Sequence, residues 1–263
     1  MKHSVLICAV AAFVLSHAVD VNAQQRPGPK VADAKPGDVR MIVTAAIRGP
    51  LDSVLPQATK AVGKPIVVEY GSARGNLKDT ILGGQDFEVA ILLPDVNEQL
   101  LKAGKIKPGT YRIATVDVAL GLRGDVPDPD VSTPAALKAT LLKAKSVKYA
   151  PTGAALNTVQ KILSTLDVAA SIKDSSKLKD PVELAAGEYE INIYPISEII
   201  PNKALKNMGP VIKPLQVPAV IEAVIGAHAN DPAAALATIK FLQGSAIDPG
   251  LAAAGMKKAA HEN

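Results

Sequence analysis

The sequence predicts an α/β protein built as two units, each a mainly parallel sheet flanked by helices. Three observations predict this. Beyond residue 38, apolar runs of strand length alternate with segments of helical periodicity. The apolar content rests on Ala, Val, Leu and Ile, with aromatics at 3% and no Trp, which suits strands buried on both faces under packed helices. The alternation then stalls in a proline-broken stretch, 195–218, before it resumes. Two units with an interrupted return fit this better than one continuous sheet.

Taken in order, residues 24–38 (QQRPGPKVADAKPGD) are polar and proline-rich and read as a loose leader. RMIVTAA (40–46) is the first strand, and the helix after it sets Leu51, Val54, Leu55, Ala58 and Val62 at helical spacing. Pro56 fits if that helix starts near Asp52, which leaves the proline at the edge of the first turn. PIVVEY (65–70) is the second strand, and NLKDTILGG (76–84) is a short helix closed by glycine. FEVAILLP (87–94) is the third strand, followed by the helix VNEQLLKAGKI (96–106). This βαβαβα order predicts an open parallel sheet with helices on both faces.

TVDVALGLRGD (115–125) reads as one long strand. STPAALKATLLKAK (132–145) is a helix with Thr133 as N-cap and Pro134 at its first position. SVKYA (146–150) is a strand and PTGAALNTVQKILSTL (151–166) a helix. The polar connector 167–180 leads through a short helical piece to the strand YEINIYP (189–195). After 195–218 come the strand AVIEAVIGA (219–227) and a helix begun by Asp231-Pro232 and ended by Gly244.

The first 23 residues carry the marks of a secretory signal: Lys2 and His3, an apolar stretch from Val5 to Leu15, and small residues at Val21-Asn22-Ala23. That stretch is short of the ~20 apolar residues a membrane span needs. Cys8, the sole cysteine, lies within it, so the exported chain is expected to hold no disulfide and no thiolate metal site. The formal charge of +4 is spread along the chain without aromatic platforms, which argues against nucleic-acid binding and favours small anions near a cleft.

Catalytic chemistry is thinly represented. His3 and His17 leave with the signal, His228 follows a strand and His261 sits in the tail. Neither a GxSxG elbow nor a His–Glu zinc spacing occurs, so no catalytic, metal or cofactor residues are nominated. Asp86 and Glu88 read as a solvated strand start, and Glu188 and Glu190 as a surface pair.

Three small-residue turns lie between a strand and a helix: AAIRGP (45–50), GSARG (71–75) and APTGAA (150–155). Each has a plain reading as a tight turn, with Ser72 or Thr152 capping a helix. The alternative is an anion site made of helix-start amides, hydroxyls and guanidinium groups, with Gly153 letting a ligand approach the backbone. Three such turns at the carboxyl ends of parallel strands favour the second reading, because ligands of open α/β sheets bind there.

The run GSARGNLKDTILGGQDFEVAILLPDVNEQLLKAGKI resembles the molybdate-type and related bacterial extracellular solute-binding proteins. APTGAALNTVQKIL, LAAGEYEINIYPISE and DPAAALATIKFLQGSAIDPGLAAAGM are similar to that family in the same order, over residues 38–256. The resemblance implies the type II periplasmic binding protein fold: two lobes joined by two hinge crossovers, near 113–120 and 212–222. Lobe one would comprise 39–116 and 218–263, and lobe two 117–217. It implies a periplasmic, monomeric, non-enzymatic protein without cofactors, which passes a small anion to the membrane permease of an ABC transporter. Carried over by position, the ligand-binding residues are Ala46, Ile47 and Arg48 on the first turn and Ser72, Ala73 and Arg74 on the second. Thr152 and Gly153 follow on the third turn, and Tyr194 after the later strand.

The first turn departs from the molybdate pattern: Ala45-Ala46-Ile47-Arg48 replaces Ala-Ala-Ser, and Gly71-Ser72-Ala73 replaces Gly-Ser-Ser. Two lost hydroxyls weaken an oxyanion held by neutral donors, and an arginine fork suits a carboxylate. An organic carboxylate therefore stands beside molybdate or tungstate as the expected ligand. A sensor that has lost its ligand and an exported enzyme built around Arg48, Arg74 and Tyr194 are the alternatives.

Overall fold

The computed structural model describes residues 30–172 and 182–259. The signal, Cys8, His3, His17, His261, leader residues 24–29 and the connector 173–181 lie outside the described residues.

Among the described residues, ten strands form two sheets. The larger is built on β1 (Val39–Thr44), whose neighbours β2 (Ile66–Gly71) and β3 (Val89–Leu92) both run parallel to it. α1 (Arg48–Val62), α2 (Lys78–Leu82) and α3 (Pro94–Lys102) follow these three strands in turn. The sheet is completed by β4 (Tyr111–Val116), β9 (Ala219–Ile225) and β10 (Met256–Lys258), in the order β10-β4-β9-β3-β1-β2. The smaller sheet has the order β6-β7-β5-β8, from β5 (Val118–Arg123), β6 (Ser146–Tyr149), β7 (Glu190–Pro195) and β8 (Lys206–Pro210). Around it lie α4 (Pro134–Lys143), α5 (Leu156–Thr165) and α6 (Ile196–Ile199), while α7 (Pro232–Gln243) and α8 (Asp248–Ala253) return to the larger sheet. Each sheet has its own apolar core, one centred on Met41, Ile42, Ile91 and Leu100, the other on Leu120, Val159, Ile162 and Ile191. These are the two lobes.

Both helix starts inferred from an Xaa-Pro pair are present: the Thr133 hydroxyl accepts from Ala136 N, and the Asp231 carboxylate from Ala234 N. Other expectations need correction. The sheets are mixed, not mainly parallel, because β9 and β10 enter the larger sheet antiparallel and β5 runs antiparallel to both its neighbours. The stretch 115–125 is two strands, β4 and β5, which part at Asp117 to serve different sheets. Helix α1 starts at Arg48, so Pro56 is interior to it. The proline lies on the exposed side, where water can meet the Asp52 carbonyl that a missing N–H leaves without its helical donor. Residues 182–188 hold no helix. Part of the leader is docked: Val31 is buried in the core and its N–H donates to Glu69.

The chain returns from the second lobe between Val211 and Ala219. Here the Gln216 amide ties the two crossings together. Its oxygen accepts from Val118 N at 3.1 Å, and its nitrogen donates to the oxygens of Val118 (2.8 Å) and Val211 (3.3 Å). Thr158, fully buried on α5, bonds both backbone groups of Val217 at 2.9 Å.

Two glutamates read as surface residues are buried. Glu88 accepts from Arg40 Nε (2.9 Å), Nη2 (2.8 Å) and backbone N (2.8 Å), and from Asn230 N (3.2 Å). Glu190 accepts from Arg123 Nε (3.1 Å) and from the Ser146 hydroxyl (2.5 Å). Burial alone would raise both carboxyls; the arginine and hydroxyl bonds outweigh it and hold both below the usual carboxylate range. Each pair closes the amino end of the parallel strands in its lobe, leaving the carboxyl ends for the site.

Candidate functional site

The carboxyl ends of β1, β2, β6 and β7 carry four turns that meet along the seam between the lobes. The first turn is a single 3₁₀ turn, Ala45–Ile47, leading into α1. Ala46 and Ile47 are buried, so this turn can offer a ligand only backbone from these two residues. The Ala46 carbonyl is already engaged, accepting from the Ser197 hydroxyl of the other lobe at 2.7 Å. Arg48 opens α1 with its guanidinium carbon 4.4 Å from the centroid of the Tyr70 ring, a cation–π stack. Tyr70 in turn donates to Asp52 Oδ1 at 2.5 Å. Burial first, then that bond, push the Tyr70 hydroxyl far above its ordinary pKa, so it stays neutral. Among the described residues no carboxylate lies within 4.0 Å of the Arg48 guanidinium.

The second and third turns are bound to each other. Ser72 caps nothing with its side chain. Its hydroxyl instead bonds the Thr152 hydroxyl at 2.7 Å, and its N–H donates to Asn76 Oδ1 at 2.9 Å. Ala73 is fully buried. Arg74 donates to Asp95 on its own lobe (Nε 2.7 Å, Nη2 3.0 Å) and reaches across to Gly153 O (2.7 Å) and Asn157 Oδ1 (3.3 Å). Thr152 is not the cap of the following helix: α5 starts at Leu156, after an intervening turn. Gly153 gives a ligand no close approach on its Cβ side, because a Cβ there would stand 2.8 Å from that of Ala150. The need is internal to the turn. Ala154 packs into the apolar core of the first lobe.

The fourth turn follows β7. Tyr194 is half-buried at the strand's penultimate position, in register with Ala119, and α6 begins two residues later. Ser197 makes the bond to Ala46, and Glu198 follows it, half-buried. Burial pushes the Glu198 carboxyl up to about 7, against the opposing pull of the Arg48 charge. Its folded-state pKa lies above the unfolded one, so the folded chain holds the extra proton between about 4.5 and 7. Stability therefore falls as pH rises through that window. Glu198→Gln is expected to melt with wild type at pH 5 and above it at pH 8, by on the order of 2 kcal/mol, a shift of about 4–8 °C. Melting curves at the two pH values check this; equal gaps at both would remove Glu198 from the titration.

The structure joins the second and third turns through Ser72, Arg74, Thr152 and Gly153, and the first and fourth through Ala46 and Ser197. Tyr194 is placed only by its position in β7, and Ala73 only as buried core. Ser72, Arg74, Thr152 and Gly153 join lobe to lobe, while Arg48 stacks on Tyr70 and makes no ion pair within 4.0 Å among the described residues. Sequence reading missed Asp95, Asn157, Ser197 and Glu198. Asp95 carried a signal, since it sits in LLPD at the carboxyl end of β3, the same kind of position as the nominated turns.

Comparison with known proteins places this geometry. The chain is 20% identical over 226 residues to an aconitate isomerase from Pseudomonas sp, covering 82% of this chain and 86% of that one. The periplasmic molybdate-binding protein of Azotobacter vinelandii has the same fold, with a TM-score of 0.62 at 19% identity over 85% of this chain and 100% of the other. So has AgtB from A. tumefacien R10, a binding protein in complex with agropinic acid, with a TM-score of 0.60 at 13% identity over 84% and 83%. Residues 39–257 match the family described as bacterial extracellular solute-binding protein. With two lobes, two crossings and a seam of strand-end turns, the chain belongs to the bacterial extracellular solute-binding proteins.

Proposed function

We propose that this protein captures a small organic anion bearing carboxylate groups between its lobes, in the periplasm, and presents it to the membrane permease of an ABC transporter. The observation that carries the reading is the state of the two arginines. Arg74 is taken up by protein acceptors, whereas Arg48 stands at the seam stacked on Tyr70, with Glu198 acting on its charge but no described carboxylate within 4.0 Å of it. A planar guanidinium with free donors matches a planar carboxylate through two parallel hydrogen bonds. The oxyanion alternative fares worse here, since the Ser72–Thr152 bond spends one of the two hydroxyl protons and the N–H of Ser72 already has a partner. An aconitate isomerase and an agropinic acid binder among similar proteins agree with an organic acid.

The test is a melting screen of di- and tricarboxylates, aconitate and tricarballylate included, against molybdate, tungstate and sulfate. A carboxylate at ~100 times its dissociation constant stabilises the protein by about 2.7 kcal/mol. No shift with any anion would favour a sensor that has lost its ligand. A second reading, an enzyme acting on the same anion, is favoured by Glu198, a carboxyl poised near neutrality within reach of Arg48's charge, and by the aconitate isomerase. NMR of the ligand after incubation separates the two: unchanged ligand supports capture, an altered one supports turnover.

A further inference from the structure

We propose that Arg74 sets which anions the cleft accepts: by locking the second turn to the third, it keeps one of the two Ser72 and Thr152 hydroxyl protons spent within the pair and leaves a tetrahedral oxyanion one hydroxyl donor short. This rests on the preceding reading for the location of the ligand, but the lock itself needs no ligand. Asp95 holds the guanidinium of Arg74 from its own lobe through Nε and Nη2. That aims Nη1 at Gly153 O (2.7 Å) and Nη2 also at Asn157 Oδ1 (3.3 Å) of the other lobe, while Arg74 N donates to Thr152 O at 3.1 Å. The Arg74 side chain is 13% exposed, so its guanidinium is largely shielded, while its partner Asp95 stands exposed at the edge of the seam.

The backbone allows this closeness. A Cβ at Gly75 would sit 3.0 Å from Thr152 Oγ1, tighter than ordinary contact, and Ala154 of the same third turn packs into the first lobe's core. A tetrahedral oxyanion offers four acceptor oxygens and needs donors turned towards most of them. Here it would find one of the two hydroxyl protons spent within the pair, and a guanidinium whose donors Asp95, Gly153 and Asn157 already engage. A carboxylate at Arg48 asks for neither. Arg74 is therefore a positioning residue, and selectivity against oxyanions follows from the bonds it keeps closed.

The experiment compares wild type, Arg74→Ala and Arg74→Lys by small-angle scattering and melting, each with no anion, with molybdate, with sulfate and with tricarballylate. Wild type is expected to scatter as a closed particle without anion and to show no melting rise with molybdate or sulfate. Arg74→Ala is expected to have a larger radius of gyration without anion and to contract when molybdate is added. Arg74→Lys keeps the charge beside Asp95 but not the fork, so it expands to an intermediate degree and serves if the alanine variant fails to fold. A melting rise of wild type with molybdate or sulfate overturns the proposal. So does a variant as compact as wild type, or one that opens yet is unmoved by molybdate. If the variants open and respond as stated while tricarballylate leaves wild type unchanged, the lock stands and the Arg48 reading falls.

Discussion

Arg48→Ala is expected to weaken a carboxylate ligand about 100- to 10,000-fold while leaving the empty protein folded and nearly as stable. The first half follows from the bonds at stake. Each hydrogen bond to a charged group contributes about 1.5–3 kcal/mol, a fork makes two, and about 1.4 kcal/mol is a factor of ten. The second half follows from what Arg48 does without ligand: it stacks on Tyr70 and pairs with no described carboxylate, an interaction of about 0.5–1 kcal/mol near the surface. Arg48→Lys should fall between, because an ammonium keeps the charge and loses the planar pair. Titration calorimetry with the best ligand of the screen measures both variants. Affinity unchanged in Arg48→Ala would remove this residue from the site.

Glu88→Ala is expected to produce the largest loss of stability, about 3–5 kcal/mol, and no loss of affinity. Removing one partner of a buried ion pair strands the other charge, and here three Arg40 donors and Asn230 N lose their acceptor together. At about 2–4 °C per kcal/mol for a chain of this size, the melting temperature should drop by about 10 °C. The pH dependence has a defined sign. The folded-state pKa of Glu88 lies below its unfolded value, so its contribution is complete above the ordinary carboxylate range and is lost as pH falls through the folded value. The gap between wild type and variant should therefore be full at pH 7 and shrink in acid. A gap that stayed constant down to pH 3 would show that the pair's charge contributes nothing.

The order of strands and helices was legible because burial imposes periodicity, and periodicity is local. β1, β2 and β3 each show an apolar run, and Thr133-Pro134 and Asp231-Pro232 each announce a helix start in two residues. The break at Asp117 was not visible as two strands. A chain passing between sheets stays extended, and its apolar alternation runs on through Val116 and Val118. Glu88 and Glu190 looked like solvated residues because their arginine partners lie 48 and 67 positions away. The same distance effect separates Arg48 from Arg74. Each stands in the small-residue turn between a parallel strand and a helix, and nothing near either one in sequence tells them apart. What distinguishes them is Asp95, Gly153 and Asn157, brought together only when the two lobes meet.

The amide of Gln216 has a mechanical corollary. By donating to and accepting from Val118 it does the work of a peptide unit in a neighbouring strand, so the outgoing and returning threads are fastened at one level. Two unfastened threads would let the halves shear and twist as well as swing. Fastened, they leave rotation about the knot as the soft motion, and the jaw farthest from it sweeps the widest arc.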